Sequence, residues 1–97
     1  MDHILVQQGL EFEWDVEKAS SNLEKHGVSF EDAAEAFLDP FHRGGNASES
    51  GEFRQFIIGY TTASRLALVV FVERSPRVRI ISARPATRRE RKAYEDS

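Results

Sequence analysis

The chain has 97 residues, of which 40% are hydrophobic and 30% charged, and it contains no cysteine. This composition is typical of one small globular domain, and it excludes a disulfide framework, a thiolate metal site and a cysteine nucleophile. The net charge of −3 conceals an asymmetry: residues 1–52 carry twelve acids and three bases, whereas residues 53–97 carry four acids and ten bases. The basic half indicates an anionic partner or, equally, a surface that the acidic half neutralises.

The N-terminal segment shows no targeting signal. It lacks a basic stretch, and its longest apolar run is Ile4–Val6. We therefore expect neither a signal peptide nor a membrane span, and we predict a cytoplasmic protein. The first regular element is predicted as a short strand over Leu10–Trp14, because apolar and acidic side chains alternate there.

Two helices follow with a tight corner between them. Asp15 is a predicted N-cap for a helix over Val16–His26, which ends at the glycine that follows. Ser29 opens a second helix, whose apolar face extends to Leu38. The Asp39-Pro40 step ends that helix, because a residue before proline avoids the α region.

The next segment is predicted to be a loop followed by three strands. Residues Phe41–Glu52 are polar and glycine-rich, with space for a short strand at Phe41–Arg43. The apolar runs that follow predict strands over Phe53–Tyr60, Leu66–Val72 and Val78–Ala83. The links between these strands are short, which favours an antiparallel meander.

A last helix begins at a capping box formed by Thr87 and Glu90 and continues through Tyr94. The predicted element order is therefore β-α-α-β-β-β-α. We expect a single α+β domain over residues 1–97, with helices packed on a mostly antiparallel sheet.

Arginines cluster where the last predicted strand turns into the last helix. A guanidinium binds phosphate through a planar fork and stays charged, so this junction is a predicted anion site. Arg79, Arg84 and Arg88 are candidates to neutralise the charge of a phosphate, and Arg77 and Arg91 are candidates to contact the same anion. The alternative for each is a solvated charge or a salt bridge to the acidic half, and this alternative is preferred for Arg89 and Lys92.

Four further side chains are site candidates. His26 could act as a general acid or base beside Lys25, although a histidine at a helix C-terminus is equally explained as a cap. Arg65 could contact the same anion or be an edge charge. Tyr94 could donate to a phosphate, but an aromatic residue on a last helix more often packs on the core.

The sequence predicts no cofactor and no metal. No group of His, Asp and Glu residues has the spacing of metal ligands, and Gly44-Gly45 lacks the Gly-Lys-Ser/Thr ending of a phosphate loop.

Three motifs resemble the BrnT toxin family. They are Phe12-Glu13-Trp14-Asp15, then Asn22-Leu23-x-Lys25-His26-Gly27-Val28-Ser29-Phe30-Glu31, and finally Ile80-Ile81-Ser82-Ala83-Arg84 followed by Ala86-Thr87-Arg88-Arg89-Glu90-Arg91. They occur in the family's order and spacing from Phe12 to Glu95.

This resemblance implies a RelE-like fold and the toxin of a type II toxin–antitoxin pair, a ribonuclease that inhibits translation. With that activity, Arg79, Arg84 and Arg88 are predicted to act in catalysis together with Lys25 and His26, and the predicted RNA contacts are Arg65, Arg77, Arg91 and Tyr94. It implies a BrnA-like antitoxin that masks the basic face and through which alone operator DNA is bound, in a complex of two toxins and two antitoxins.

The chain departs from the family where Phe71 and Val72 replace the usual polar residues before Glu73-Arg74. The alternative function is therefore a catalytically weak module that serves mainly as antitoxin partner and co-repressor. A generic RNA-binding α+β domain is disfavoured, because Phe56, Tyr60 and Phe71 can be explained as core.

Overall fold

A computed structural model describes residues 1–47 and 53–96. In chain order its elements are β1 (Asp2–Gln7), β2 (Leu10–Asp15), α1 (Val16–His26), α2 (Phe30–Ala36), β3 (Arg43–Asn46), β4 (Gln55–Tyr60), β5 (Leu66–Arg74), β6 (Arg77–Pro85) and α3 (Arg88–Glu95). The strands form one sheet in the order β1-β2-β6-β5-β4-β3. All neighbours are antiparallel except β2 and β6, which are parallel.

The predicted α+β class and mostly antiparallel sheet are confirmed, but the predicted element order lacked two strands. β1 pairs along its whole length with β2 across a turn in which Gln8 and Gly9 both have positive φ, at 49° and 81°. Glycine adopts such a φ easily and glutamine does not, so this turn gave no clear sequence signal. The short strand proposed at Phe41–Arg43 lies instead at Arg43–Asn46. The part of the predicted loop at 48–52 lies outside the described residues.

The helix ends follow from their caps. The Asp15 side chain accepts from Lys18 N at 3.0 Å, and Gly27 closes α1 with φ +71°. The Ser29 hydroxyl accepts from Asp32 N at 3.0 Å. The α2 helix ends at Ala36, two residues before the predicted end, because Leu38 N bonds to Glu35 O in a tightened last turn.

Each face of the sheet carries its own apolar cluster. The α1–α2 face holds the larger cluster, built from Phe12, Trp14, Phe30, Ile57, Val69, Phe71, Ile80 and their neighbours. The opposite face, called here the α3 face, holds Ile58, Leu66 and Leu68 under Ala86 and Tyr94. Alternation along β4 and β5 supplies both clusters, as expected of central strands covered on both sides. In the described part of the chain, no helix is both long and apolar enough to cross a membrane.

Candidate functional site

A groove separates α1 from the edge of β6. The parallel pairing of β2 with β6 reaches only Arg79, so the rest of β6 lies beside α1 instead of a strand. The groove has a volume of about 460 Å³. It is lined by Asp15, Glu17, Lys18, Ser21, Asn22, Lys25 and His26 from the α1 side and by Ile81 and Ser82 from β6.

The Asn22 side chain joins the two walls of this groove. Its Nδ2 donates to Ala83 O at 2.8 Å and to Val28 O at 3.0 Å, and its Oδ1 accepts from Ala83 N at 3.1 Å. Asn22 is 7% exposed. Its amide therefore replaces the strand neighbour that β6 lacks here, and it fixes the corner after α1. The sequence motif contained Asn22, but sequence reasoning assigned it no role.

Lys25 and His26 lie in the last turn of α1, where both side chains are exposed. Arg65 caps the same helix end, because its Nη1 donates to Gly27 O at 2.9 Å. Among the described residues, no carboxylate forms an ion pair with Lys25 or His26. Lys25 thus makes the end of the groove that holds His26 cationic, whereas Asp15 and Glu17 lie with Lys18 at its other end.

An irregularity in β6 determines which arginines share a face. Arg79 pairs with Val72, Ser82 with Val70 and Arg84 with Leu68, because the register shifts between Val70 and Phe71. Residues five apart on a regular strand point to opposite faces. The extra residue at this bulge therefore places Arg79 and Arg84 together on the α3 face.

Acidic residues of the first two strands hold Arg77 and Arg79. Arg79 Nη1 bonds to Glu13 at 2.7 Å and to Asp2 at 3.0 Å. Hydrogen bonds to Asp2 and then to Glu13 raise the pKa of Arg79, and the Arg79 hydrogen bond lowers the pKa of Asp2. Arg77 Nε lies 3.4 Å from Glu11 Oε1 without the alignment of a hydrogen bond. These contacts tie β1, β2 and β6 together.

Arg84 is paired at the start of α3. Its two terminal nitrogens bond to the Glu90 carboxylate at 2.7 and 2.8 Å. The Arg84 hydrogen bond lowers the pKa of Glu90 to about 2, and backbone donation from Thr87 contributes. Arg88 is exposed, and no carboxylate in the described ranges 1–47 and 53–96 forms an ion pair with it. Arg88 is therefore, unlike Arg84, an arginine of this junction whose charge remains available.

Arg91 and Tyr94 lie farther along α3. Arg91 Nη1 donates to the Tyr60 hydroxyl at 3.1 Å. The Tyr94 hydroxyl donates to Asp39 Oδ2 at 2.6 Å, and its ring meets Tyr60 edge-on at 5.4 Å. Burial, followed by the bond to Asp39, raises the pKa of Tyr94 to about 12. Tyr94 thus anchors the helix, as in the core-packing alternative to its predicted phosphate contact.

The predicted site residues therefore occupy three places. Lys25 and His26 lie in the groove, with Arg65 behind them. Arg77 and Arg79 lie among the acids of the β1–β2 hairpin. Arg84, Arg88, Arg91 and Tyr94 lie at or on α3. The described residues bring together no group of three His, Asp or Glu side chains that could hold a metal ion.

Comparison with known proteins identifies the family. The model of the family described as "Ribonuclease toxin, BrnT, of type II toxin-antitoxin system" matches residues 14–90. The chain belongs to the BrnT toxin family. It is also similar to the ribonuclease toxin BrnT of Brucella abortus, known from a 1.1 Å crystal structure: they are 27% identical over 77% of this chain and 94% of that chain, with a TM-score of 0.59. Among curated proteins no match is found.

Membership in the BrnT family makes the protein a ribonuclease toxin of a type II toxin–antitoxin system, which implies an antitoxin partner and an RNA target. The expected resemblance is thereby confirmed. The matched range begins after β1, so the strand that supplies Asp2 to Arg79 lies outside it.

The departure at Phe71 and Val72 has a structural explanation. Phe71 is 6% exposed and packs edge-on against Phe37 with ring centroids 5.0 Å apart. It therefore belongs to the core beneath α2 and does not line the groove. Val72 points to the other face, opposite Arg79. A polar side chain at 71 would be buried in this BrnT toxin, and phenylalanine avoids that cost.

Proposed function

We propose that the protein is an endoribonuclease that cleaves RNA without a metal ion, inhibits translation in the cytoplasm, and uses the groove between α1 and β6 as its active site. The observation that carries this proposal is that two of the family-like motifs, one on α1 and one on β6, form opposite walls of this groove. Its cationic end presents Lys25 and His26 to solvent.

Cleavage of RNA by its own 2′-hydroxyl needs a base, an acid and positive charge near phosphorus. The 2′-oxygen bonds to phosphorus while the bond from phosphorus to the 5′-oxygen breaks, leaving a 2′,3′-cyclic phosphate and a 5′-hydroxyl. We assign removal of the 2′-hydroxyl proton to neutral His26, whose imidazolium then returns a proton to the 5′-oxygen. The Lys25 ammonium stabilises the charge that develops on the phosphate oxygens.

The remaining arginine candidates are assigned either to phosphate binding or to support of the active site. Arg88 and Arg91 bind phosphates that flank the cleaved bond, and Arg84 contributes the guanidinium hydrogens that Glu90 leaves unused. Arg77 and Arg79 form ion pairs with carboxylates of β1 and β2. They therefore hold the β1–β2 hairpin to β6, and their charge is already neutralised. Arg65 fixes the end of α1 that carries His26. Arg65 and Arg79 thus support the active site without contacting RNA.

A cleavage assay tests this assignment. In EDTA, the wild-type protein should cut single-stranded RNA and leave 2′,3′-cyclic phosphate ends. His26→Ala should slow cleavage at least about a hundredfold, as expected for loss of a general acid and base. Lys25→Ala should slow it by roughly tenfold, the effect of losing one phosphate-stabilising charge. Rates are measured on a fluorescently labelled oligonucleotide.

Matched controls separate chemistry from folding. His3→Ala removes a histidine that stacks on Trp14 with ring centroids 5.1 Å apart, outside the groove, and Lys92→Ala removes an exposed lysine of α3. Both should cleave like the wild type. Wild-type rates in His26→Ala, or cleavage that stops in EDTA, would contradict the proposal.

The partner is proposed to be a BrnA-like antitoxin that covers the basic surface, binds operator DNA on behalf of both proteins, and assembles as two toxins with two antitoxins. Co-purification with the product of the neighbouring reading frame, followed by mass measurement in solution, tests this part. A chain that forms this complex but never cleaves RNA would instead be a catalytically weak co-repressor. The paired state of Arg79 and Arg84 is the observation that favours this second function.

A further inference from the structure

A second groove lies between the segment after α2 and the end of α3. It is lined by Pro40, Phe41, His42, Arg43, Tyr94 and Glu95 and has a volume of about 490 Å³. This size is within the range of pockets that hold small organic groups. None of these residues has a role in the ribonuclease function proposed above.

Phe41 presents its ring to solvent from an ordered backbone. Phe41 is 73% exposed. The Asp39 carboxylate holds the segment in place, because Oδ1 accepts from Phe41 N at 2.9 Å and Oδ2 accepts from Tyr60 N at 2.9 Å and from the Tyr94 hydroxyl at 2.6 Å. With the backbone of Phe41 fixed before binding, only its side-chain torsions have to be ordered when a ligand stacks on the ring.

Polar groups beside the ring match the rest of a nucleotide. His42 Nδ1 lies 2.8 Å from Asp39 O. A carbonyl oxygen can only accept, so Nδ1 carries the hydrogen and Nε2 of the neutral ring is left as an acceptor. Arg43 is exposed, and in the described part of the chain no carboxylate forms an ion pair with its guanidinium. The groove therefore offers an aromatic face, a ring acceptor and the Arg43 cation, with the Glu95 carboxylate also in its lining.

We propose that this groove binds one unpaired nucleotide of the RNA substrate, with its base stacked on Phe41 and its phosphate against Arg43. The proposal rests on the ribonuclease function proposed above and extends it to a nucleotide away from the cleaved bond. Stacking on an aromatic side chain is the common way in which proteins hold single-stranded bases.

The position of α3 favours RNA over a protein segment as the occupant. The helix begins next to the Arg84–Glu90 pair and ends at the groove, and its eight residues span roughly 12 Å. Arg88 and Arg91 are exposed along it. A phosphate chain could follow this basic helix from the junction to Phe41, whereas an apolar protein segment would gain little from that row of charges.

Binding of a 2′-O-methyl RNA oligonucleotide, which has no free 2′-hydroxyl and cannot be cut by this mechanism, tests the proposal. Its dissociation constant is measured by fluorescence anisotropy. Phe41→Ala should weaken binding roughly tenfold, the effect expected for loss of one stacked base. Phe41→Trp should keep wild-type affinity. Phe53→Ala is the matched control, because Phe53 is 66% exposed and does not line the groove.

An oligonucleotide with the same phosphates but abasic sugars distinguishes stacking from electrostatics. On this probe Phe41→Ala and the wild type should bind equally. The proposal is overturned if Phe41→Ala binds the base-containing RNA as the wild type does, or if it loses affinity equally for both probes. Loss of antitoxin binding with unchanged RNA affinity would overturn it too, by assigning the groove to a protein.

The two proposals fail in different ways. If the wild type cleaves RNA but Phe41→Ala has no effect on binding, only the nucleotide site is wrong. If the wild type neither binds nor cleaves RNA, the ribonuclease proposal is wrong and the nucleotide site falls with it.

Discussion

At the scale of single residues, Asn22 shows how one side chain can substitute for a strand. A carboxamide has a donor and an acceptor, like a peptide group, so it can satisfy both backbone groups of Ala83 where β2 no longer accompanies β6. Its second Nδ2 hydrogen reaches Val28 O. The same residue therefore holds the α1 end of the groove, with Lys25 and His26, at a defined distance from β6.

Replacing Asn22 should be costly to stability. Asn22→Ala leaves Ala83 N, Ala83 O and Val28 O buried without these partners, and should lower the free energy of unfolding by about 3 kcal/mol. Asn22→Asp keeps the acceptor for Ala83 N but sets a carboxylate against two carbonyl oxygens, so it should destabilise as well. Urea unfolding measures both. Ser21→Ala, an exposed neighbour on α1, should change little, and a loss under 1 kcal/mol in Asn22→Ala would contradict this role.

Residue chemistry could be predicted from sequence more readily than residue partners. The sequence correctly identified Asp15, Ser29 and Thr87 as caps, because a cap acts within three residues of itself. The partners of Arg79 could not be found in this way. Asp2 is 77 positions away in the chain, and it reaches Arg79 only because β1 and β2 fold onto β6.

At the scale of elements, α3 is held by a few polar contacts. It has no buried residue, and its links to the body include the Arg84–Glu90 pair and the Tyr94–Asp39 bond. Glu90 serves two purposes, because its Oε1 also accepts from Thr87 N at 2.8 Å in the capping box. The charge of Glu90 therefore stabilises both the helix start and its attachment to β6.

This charge predicts a pH dependence. The pKa of Glu90 falls from an ordinary 4.5 to about 2 in the folded protein, so its stabilisation is complete above pH 4.5 and is lost as the pH falls towards 2. Because much of the pair faces solvent, that contribution is about 1 kcal/mol. Glu90→Gln keeps the capping box, should unfold about 1 kcal/mol more easily at pH 7, and should match the wild type near pH 2. A difference that persists at pH 2 would exclude the ion pair as the cause.

Element boundaries that depend on neighbouring residues were predicted from the sequence, whereas those that depend on distant strand pairing were not. The bounds of α1 were predicted correctly because both of its caps are adjacent in sequence. β3 has the sequence Arg-Gly-Gly-Asn, which has low strand propensity, and it becomes a strand through pairing with β4. The bulge in β6 was equally hidden, because no glycine or proline marks it. Sequence thus predicted the helix and the strand that form the groove walls, but neither that they face each other nor that Arg79 and Arg84 share a face.

At the scale of the whole molecule, the charge asymmetry has two uses. Part of the basic half is neutralised within the chain, because Asp2, Glu11 and Glu13 pair with Arg77 and Arg79. In the proposed function, Arg88 and Arg91 of α3 and Lys25 of the groove are the bases that bind RNA. The self-complementary surface therefore describes the β1–β2 side of the molecule, and an anionic partner stays the prediction for these other bases.

Salt dependence of RNA binding can separate these two regions. Each phosphate of a single strand that the protein neutralises releases counterions, and this steepens the plot of log affinity against log salt by about 0.7. Arg88→Ala should reduce the slope by that amount, since the charge of Arg88 is exposed. Arg79→Ala should leave the slope unchanged while circular dichroism shows a folded protein, because Asp2 and Glu13 already neutralise that guanidinium.

The measurement uses the 2′-O-methyl oligonucleotide between roughly 50 and 200 mM KCl. Arg89→Ala, adjacent to Arg88 on α3, is the control for a general loss of charge. A reduced slope in Arg79→Ala, with none in Arg88→Ala, would place the RNA on the β1–β2 side of the sheet instead of along α3.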